Sequence, residues 1–212
     1  MMGNRPSFTP PTLRDGMRWR GMRVGLLGGS FNPPHAGHMH IATLALEKFG
    51  LDFVWWIVTP QNPLKQSHGM APYDERFALV RAMTDRNPRM MATHLERDLR
   101  TRYTHETATG LKTNFPHTDF MWICGMDNAM IFHRWDRWRS LIDTMPIVFI
   151  ARPPAGGLVQ GCPVRMLPRR LQAHDAQGVK TGMTPPKITW LQGAKMVDIS
   201  STKIRNKSFN NK

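Results

Sequence analysis

Short apolar runs, each the length of one strand, alternate with longer segments of helical period along most of this 212-residue chain. Such alternation is typical of a parallel β-sheet whose strands are joined by helices. The predicted strands cover residues 22–27, 53–58, 90–95, 119–124, 146–150 and 188–191. The expected fold class is therefore α/β, an open parallel sheet with helices on both faces.

Helices are predicted between these strands. The residues that share one face of the helix after the first strand are Ile41, Ala42, Ala45 and Phe49. A second helix, starting near Tyr73, is marked by Phe77, Val80, Arg81 and Thr84. Two more are predicted over residues 103–115 and 127–142, whereas residues 152–187, rich in Pro and Gly, are predicted to form a long irregular connection.

The first 21 residues differ in composition from the rest of the chain. They contain several arginines and prolines but no apolar stretch of the kind found in a signal peptide. We expect residues 1–21 to be a disordered or loosely attached extension, and residues 22–212 to form a single domain.

Charge and cysteine content narrow the functional classes. The 29 basic and 15 acidic residues give a net charge of +14, which favours anionic ligands. The basic residues are scattered rather than gathered into one run, which argues against a dedicated nucleic-acid tail. Cys124 and Cys162 form no CxxC pair, so a reduced, cytoplasmic setting is expected. The apolar runs are too short to cross a membrane.

The most informative motif is GGSFNPPHAGH at residues 28–38, which joins the first strand to the first helix. Gly28 and Gly29 would let the backbone approach a phosphate, and the helix N-terminus favours an anion. His35 and His38 lie three residues apart, so both imidazoles can face one phosphate group. The motif lacks the Gly-Lys-Ser/Thr of a P-loop and the spacing of GxGxxG dinucleotide binders.

A second anion site is predicted near the C-terminus, in the segment ISSTKIR at residues 199–205. Ser200 or Ser201 can cap a short helix, and the hydroxyl groups, the free N–H groups and Arg205 together would bind phosphate.

These two segments resemble the HxGH nucleotidyltransferase superfamily, and the fuller GGSFNPPHAGH resembles the nicotinate-mononucleotide adenylyltransferases of bacteria. The resemblance extends from about residue 22 to residue 205. It implies a Rossmann-like sheet of the nucleotidyltransferase type. It also implies transfer of AMP from ATP to nicotinate mononucleotide, which gives deamido-NAD and pyrophosphate, with Mg²⁺ carried in by ATP and no metal held by the protein alone.

The resemblance implies roles for individual residues in ATP binding. His38, and secondarily His35, would contact the reacting phosphate. The residues implied to bind the remaining phosphates are Gly28, Gly29, Ser30, Phe31, Lys65, Ser201, Thr202 and Arg205. Lys65 stands where the family often has a Pro-Pro-His-Arg-like segment, so a point charge replaces the flat fork of an arginine.

Other residues are implied to bind the acceptor and the sugars. Gly125 and Asp127 resemble the family's GxD, whose carboxylate meets a ribose, although Asp127 alone is equally consistent with a helix N-cap. Trp135 would stack on the pyridine ring, and Tyr103 and Thr104 would offer N–H groups to its carboxylate. The neighbouring Trp122 and Trp138 are predicted to be core residues instead.

Several alternatives remain open. The acceptor could be nicotinamide mononucleotide or phosphopantetheine instead, and the oligomeric state is not determined by the sequence. A basic domain that binds nucleic acid without catalysis would explain the charge but leave both phosphate motifs unexplained. A fragment of a class I aminoacyl-tRNA synthetase would share HxGH, but this chain has no room for an anticodon-reading domain.

Overall fold

The computed structural model describes residues 9–60, 69–151, 159, 161–175 and 183–191. The strands are β1 (Arg23–Gly29), β2 (Phe53–Val58), β3 (Met90–Thr93), β4 (Asp119–Gly125), β5 (Ile147–Ile150), β6 (Gln172–Asp175) and β7 (Ile188–Leu191). The α-helices are α1 (Ala36–Lys48), α2 (Tyr73–Thr84), α3 (Leu95–Asp98), α4 (Thr104–Asn114) and α5 (Trp138–Thr144).

The strands form one sheet in the order β3-β2-β1-β4-β5-β7-β6, and every neighbouring pair is parallel. The chain first runs outward from β1 through β2 to β3, and then returns to place β4 on the other side of β1. The carboxyl ends of β1 and β4 therefore flank the topological switch point, where open α/β sheets bind their ligands. The predicted open parallel α/β sheet is confirmed.

Two buried clusters cover the two faces of the sheet. Successive residues of β2 alternate between them, so that Trp55 packs on the side of α4 and α5 while Trp56 packs on the side of α1 and α2. Both tryptophans are fully buried. A parallel strand that is covered on both faces has no polar face, which explains why β2 is apolar at every position.

Most predicted element boundaries agree with the structure to within two residues. The predicted helix over residues 127–142 is wrong, because the chain there forms two 3₁₀ turns, Met126–Met130 and Phe132–Arg134, before α5. Trp135 is extended and Arg137 has a positive φ of 44°, and neither conformation can continue a helix. In α2 the buried face consists of Arg76, Val80 and Thr84, whereas Arg81 is exposed.

The predicted irregular connection over residues 152–187 contains regular structure where it is described. Two 3₁₀ turns, Pro163–Met166 and Arg169–Leu171, precede β6, which pairs with β7 at the edge of the sheet. Its composition gave no strand signal because the run is short and polar.

The segment before β1 also differs from expectation. Trp19 is fully buried and packs edge-on against Phe53 and Trp55, with ring centroids 5.0 Å and 4.9 Å apart. The Oγ1 of Thr118 donates to the carbonyl of Trp19 at 2.9 Å. Within the described part of the extension, residues 9–21, the chain is therefore anchored by a buried aromatic side chain.

Among the residues that the structure describes, no helix is both long enough and apolar enough to cross a bilayer; α1, with 13 residues, is the longest of them.

Candidate active site

The first predicted phosphate loop connects β1 to α1. His35 is the N-cap of α1, and its Nδ1 accepts a hydrogen bond from the N–H of Gly37 at 3.1 Å. The Nδ1 of His38 accepts from the N–H of His35 at 3.2 Å. Together these bonds form a capping box built from two histidines. Both imidazoles are thereby held at the positive end of the helix dipole.

The cap also decides which nitrogen of each ring carries a proton. The two rings lie 3.8 Å apart between centroids, at an angle of 33°. Because each Nδ1 accepts an N–H, each neutral ring must be protonated on Nε2, an assignment that follows from the hydrogen-bond pattern. Both side chains therefore have an Nε2–H donor. His35 is buried and His38 half-buried, so His38 is the more accessible of the two.

Phe31 shapes the middle of this loop. Its backbone has a φ of 46°, which is uncommon for a bulky residue and costs about 1–3 kcal/mol. Its ring is buried, stacks on Trp56 at 5.3 Å and meets the ring of His38 edge-on at 5.0 Å. The packing of this ring therefore stabilises a strained turn and contacts the more accessible histidine.

The two glycines before this turn are close to aromatic rings. A Cβ atom on Gly28 would lie 2.7 Å from the ring of Trp122, and one on Gly29 would lie 3.3 Å from the ring of Phe31. Trp122 is buried, as predicted for a core residue. Packing thus requires glycine at position 28 whether or not a ligand is bound, and the contact of Gly28, Gly29 and Ser30 with phosphate stays a prediction.

Glu96, a residue that the sequence analysis missed, follows the carboxyl end of β3. It is 5% exposed, its Oε1 accepts from the Oγ1 of Thr107 at 3.4 Å, and Thr59 bonds to the same carboxyl group. The N–H of Thr59 donates to the carbonyl of Gly29 at 3.0 Å, and that of Thr107 donates to the carbonyl of Tyr103 at 3.1 Å. Glu96 therefore belongs to a chain of hydrogen bonds that links the end of β1 to the start of α4.

The environment of Glu96 disfavours its charged form. Burial raises the pKa of this carboxyl to about 7, although the hydrogen bonds from the two threonines act in the opposite direction. Within the described residues its Oε2 has no hydrogen-bond partner. Neutral and ionised forms are thus both populated near neutral pH.

We expect Glu96→Gln to make stability less dependent on pH. The pKa of Glu96 in the folded protein lies above its ordinary value of 4.5. At any pH between these two pKa values, the folded protein therefore keeps a proton on Glu96 that the unfolded chain has lost. The free energy of unfolding of the wild type should therefore fall by about 3 kcal/mol as the pH rises through this window. Urea unfolding at about pH 5 and about pH 8 measures the fall.

The matched control for this prediction is Glu47→Gln, which changes an exposed carboxylate of α1. Glu47→Gln should keep the pH dependence of the wild type, and Glu96→Gln should lose most of it. An equal slope in all three proteins would mean that Glu96 ionises without cost.

The predicted ribose ligands lie at the end of β4, beside the end of β1. Gly125 is the last residue of the strand, and Asp127 is exposed in the first turn that follows. The alternative that Asp127 is a helix N-cap does not agree with the structure, because the N-cap position is Gly125 and no side chain caps this turn. Contact of Asp127 with a ribose stays a prediction.

The residues predicted to bind the mononucleotide come from two segments that meet in the structure. His105 follows Thr104, Asp136 follows Trp135, and the His105 Nδ1 lies 3.2 Å from the Asp136 Oδ2. The two atoms are not aligned for a hydrogen bond, so the contact is an ion pair whenever the imidazole is protonated. This contact brings the start of α4 next to the loop that carries the half-buried Trp135.

Glu106 engages one of the N–H groups that were predicted to bind the pyridine carboxylate. Its Oε2 accepts from the N–H of Tyr103 at 3.2 Å and from that of Arg102 at 3.1 Å. The pKa of Glu106 is lowered, chiefly by the backbone bond from Arg102. Because the N–H of Tyr103 is already engaged, the predicted recognition of a pyridine carboxylate depends more on Thr104.

Four predicted ligands lie outside the described residues: Lys65, Ser201, Thr202 and Arg205. The second phosphate segment is thus a prediction in its position as well as in its role.

Sequence analysis missed four residues that organise this edge of the sheet: Arg76, Glu96, His105 and Asp136. Arg76 and Glu96 are charged residues, and charged side chains are exposed in most proteins. The only signal was that Arg76 shares the helical face of Val80, and this is weak evidence for a buried arginine. The approach of His105 to Asp136 depends on residues far apart in sequence, and nothing local indicates it.

Comparison with known proteins gives one family. The family model for cytidylyltransferase-like proteins matches residues 26–207. A protein of Cereibacter sphaeroides (strain ATCC 17025 / ATH 2.4.3), described as a probable nicotinate-nucleotide adenylyltransferase, is 45% identical over 184 residues, which are 87% of this chain and 97% of the relative. One of Agrobacterium fabrum with the same description is 40% identical, over 87% of this chain and 98% of the relative.

A similar fold occurs among solved structures. The nicotinic acid mononucleotide adenylyltransferase of Plasmodium falciparum, complexed with NaAD, superposes with a TM-score of 0.66 at 16% identity. The matched region covers 87% of this chain and 83% of the other. The same enzyme complexed with APC gives the same TM-score.

Proposed function

The chain belongs to the cytidylyltransferase-like family and, within it, to the nicotinate-nucleotide adenylyltransferases. We propose that it transfers AMP from ATP to nicotinate mononucleotide. The products are deamido-NAD and pyrophosphate. The observation that carries the proposal is the histidine capping box, which presents two Nε2–H donors at a helix N-terminus beside the switch point of the sheet.

The reaction requires little proton chemistry from the protein. An oxygen of the mononucleotide phosphate attacks the α-phosphorus of ATP, a new P–O bond forms, and the bond between that phosphorus and the bridging oxygen breaks as pyrophosphate leaves. The attacking oxygen is already an anion near neutral pH, so no general base is needed. The protein contributes alignment and stabilisation of negative charge.

His38 is the residue proposed to stabilise the transferring group. The Nε2–H of His38 would donate to a phosphate oxygen whose negative charge increases in the transition state, and His35 would support it from the buried side. The donors of the Ser30–Phe31 turn bind phosphate oxygens nearby. Lys65, Ser201, Thr202 and Arg205 are proposed to contact the outer phosphates, on the strength of their motifs alone.

Magnesium is proposed to enter with ATP. No group of three His, Cys, Asp or Glu side chains that could bind a metal is present among the described residues. Mg²⁺ is commonly held by phosphate oxygens and water, with few protein ligands, and such binding suits this loop of imidazole and N–H donors. Bound in this way, the ion would supply positive charge beside the phosphates of ATP.

The acceptor half of the site is proposed to bind the pyridine nucleotide. Trp135 stacks on the pyridine ring, the N–H of Thr104, more than that of Tyr103, binds its carboxylate, and Gly125 and Asp127 bind a ribose. The catalytic domain spans residues 22–212, with residues 9–21 packed onto it through Trp19. We place the protein in the cytoplasm, where ATP is abundant, and assign it no nucleic-acid partner.

A coupled assay tests the proposal. The purified protein is given Mg·ATP with nicotinate mononucleotide, nicotinamide mononucleotide or phosphopantetheine in turn, and pyrophosphate release is recorded. We expect saturable turnover with nicotinate mononucleotide and slower turnover with the amide, because the N–H donors near Thr104 suit a carboxylate. Faster turnover with either alternative acceptor would reassign the substrate, and no turnover with any acceptor would refute the adenylyltransferase assignment.

A further inference from the structure

Arg76 is an unusual residue to find on the buried face of a helix, here α2. It is 1% exposed, and its hydrogen-bond partners among the described residues are all backbone carbonyls. The guanidinium also lies over the ring of Tyr73, 5.6 Å from the centroid. A buried guanidinium is usually paired with a carboxylate, because an uncompensated charge is costly to bury. Here carbonyl dipoles take the place of the carboxylate.

The carbonyls that Arg76 contacts belong to three separate segments. Nη1 donates to Ser30, just after β1, at 2.6 Å and to Thr59, just after β2, at 2.9 Å. Nη2 donates to Pro60 at 2.8 Å, and Nε donates to Ala71, just before α2, at 3.0 Å. Because the donors of a guanidinium are fixed in one plane, this side chain fixes the mutual positions of all three segments.

The contact with Ser30 also orients the strained turn. The peptide between Ser30 and Phe31 is trans, since the cis bonds of the described chain precede Pro33 and Pro186. In a trans peptide the C=O and N–H groups point in opposite directions. By holding the carbonyl of Ser30, Arg76 therefore turns the N–H of Phe31 away from the protein interior around α2. Phe31 is the residue of this loop whose φ is 46°.

We propose that Arg76 is a positioning residue for ATP, which fixes the Ser30–Phe31 peptide of the phosphate loop to the end of β2 without touching the nucleotide. Its burial excludes direct contact with a ligand, and its four hydrogen bonds converge on the edge of the sheet where the loop lies. The inference rests on the proposed function, because it assigns ATP phosphate to this loop.

The chain offers two matched controls. Arg89 also donates to backbone carbonyls, those of Leu51 and Asp52, but these lie before β2, at the opposite edge of the sheet. Val80 is fully buried on the same face of α2 as Arg76, so Val80→Ala loosens that helix without removing a hydrogen bond.

The experiment compares Arg76→Met, Arg76→Lys, Arg89→Met and Val80→Ala at a temperature where circular dichroism shows all of them folded. Steady-state rates are measured with ATP varied at saturating nicotinate mononucleotide, and then the reverse. Arg76→Met should lower kcat/KM for ATP by about tenfold or more, with kcat/KM for the mononucleotide changed less than about threefold. Arg76→Lys should recover part of the loss, because an ammonium group donates to at most three carbonyls.

Calorimetric titration with ATP alone separates failure of this inference from failure of the proposed function. If the wild type binds ATP but releases no pyrophosphate, the proposed function fails, and the comparison of ATP affinities still tests Arg76. If Arg76→Met and Val80→Ala lose activity equally, or if both substrates are affected alike, Arg76 only supports the fold and the inference is overturned. Should Arg76→Met not fold, the same comparison is decided by Arg76→Lys.

Discussion

His38→Ala should lower the rate of pyrophosphate release by about 1,000-fold while leaving the protein folded. The Nε2–H of His38 is the more accessible of the two donors held at the start of α1, and the attack itself needs no general base. Removing a donor aimed at developing charge acts on kcat, because the interaction strengthens in the transition state. The KM for ATP should change much less.

The fold should survive because the bond that the His38 side chain makes in the cap is worth little compared with the packing of α1. Losing the acceptor for the N–H of His35 removes a helix cap, which costs about 1 kcal/mol. His40→Ala is the matched control, since it changes a half-buried histidine two residues further along the same helix. Near-normal turnover of His38→Ala, or an equal loss in His40→Ala, would remove His38 from the mechanism.

The sheet could be predicted because a strand that is buried on both faces has a recognisable sequence pattern. A parallel strand with no polar face reads as an unbroken apolar run, as in Phe53–Val58, which was predicted at its observed bounds. The helix after β1 followed from Ile41, Ala42, Ala45 and Phe49, all of which are buried. β6 could not be predicted, because it lies at the end of the sheet in the described part of the chain and three of its four residues are polar.

Features set by tertiary contacts could not be predicted from local sequence. The helical pattern over residues 127–142 gave no sign that the chain would become extended at Trp135 or that Arg137, the N-cap of α5, would adopt a positive φ. Likewise, the basic composition of residues 1–21 suggested disorder, but Trp19 is buried and packs edge-on against Trp55. One buried aromatic side chain outweighs the average composition of such a segment.

For the candidate site, the sequence indicated the groups that would contact ligands better than the groups that support them. His35 and His38 were predictable because their spacing at a strand–helix junction has a direct chemical meaning. Arg76 and Glu96 support the same edge through backbone carbonyls and threonines, and such partners carry no sequence signature. The structure adds that the phosphate loop and the start of α4 are linked through Thr59, Glu96 and Thr107.

Trp135→Ala should raise the KM for nicotinate mononucleotide by about 30- to 100-fold, with the KM for ATP changed by less than about threefold. Stacking of a heterocyclic base on an aromatic side chain is worth about 1–3 kcal/mol, and a pyridine ring offers a similar face. Trp135 is half-buried and packs on Phe132 with ring centroids 4.9 Å apart, so one side of its ring is supported by the core. Its attachment through Asp136 to His105 places it beside the proposed carboxylate donors.

Trp138→Ala separates stacking from loss of packing. Trp138 is also half-buried, and it packs on the same hydrophobic core and the same Phe132, but Arg139 lies over its ring at 4.9 Å. Both variants should melt at lower temperature than the wild type, because each removes an indole from the edge of the core. Only Trp135→Ala should lose affinity for the mononucleotide, measured by initial rates at saturating ATP. A similar rise in KM for both variants would mean that the loop merely needs its packing, and that the pyridine ring binds elsewhere.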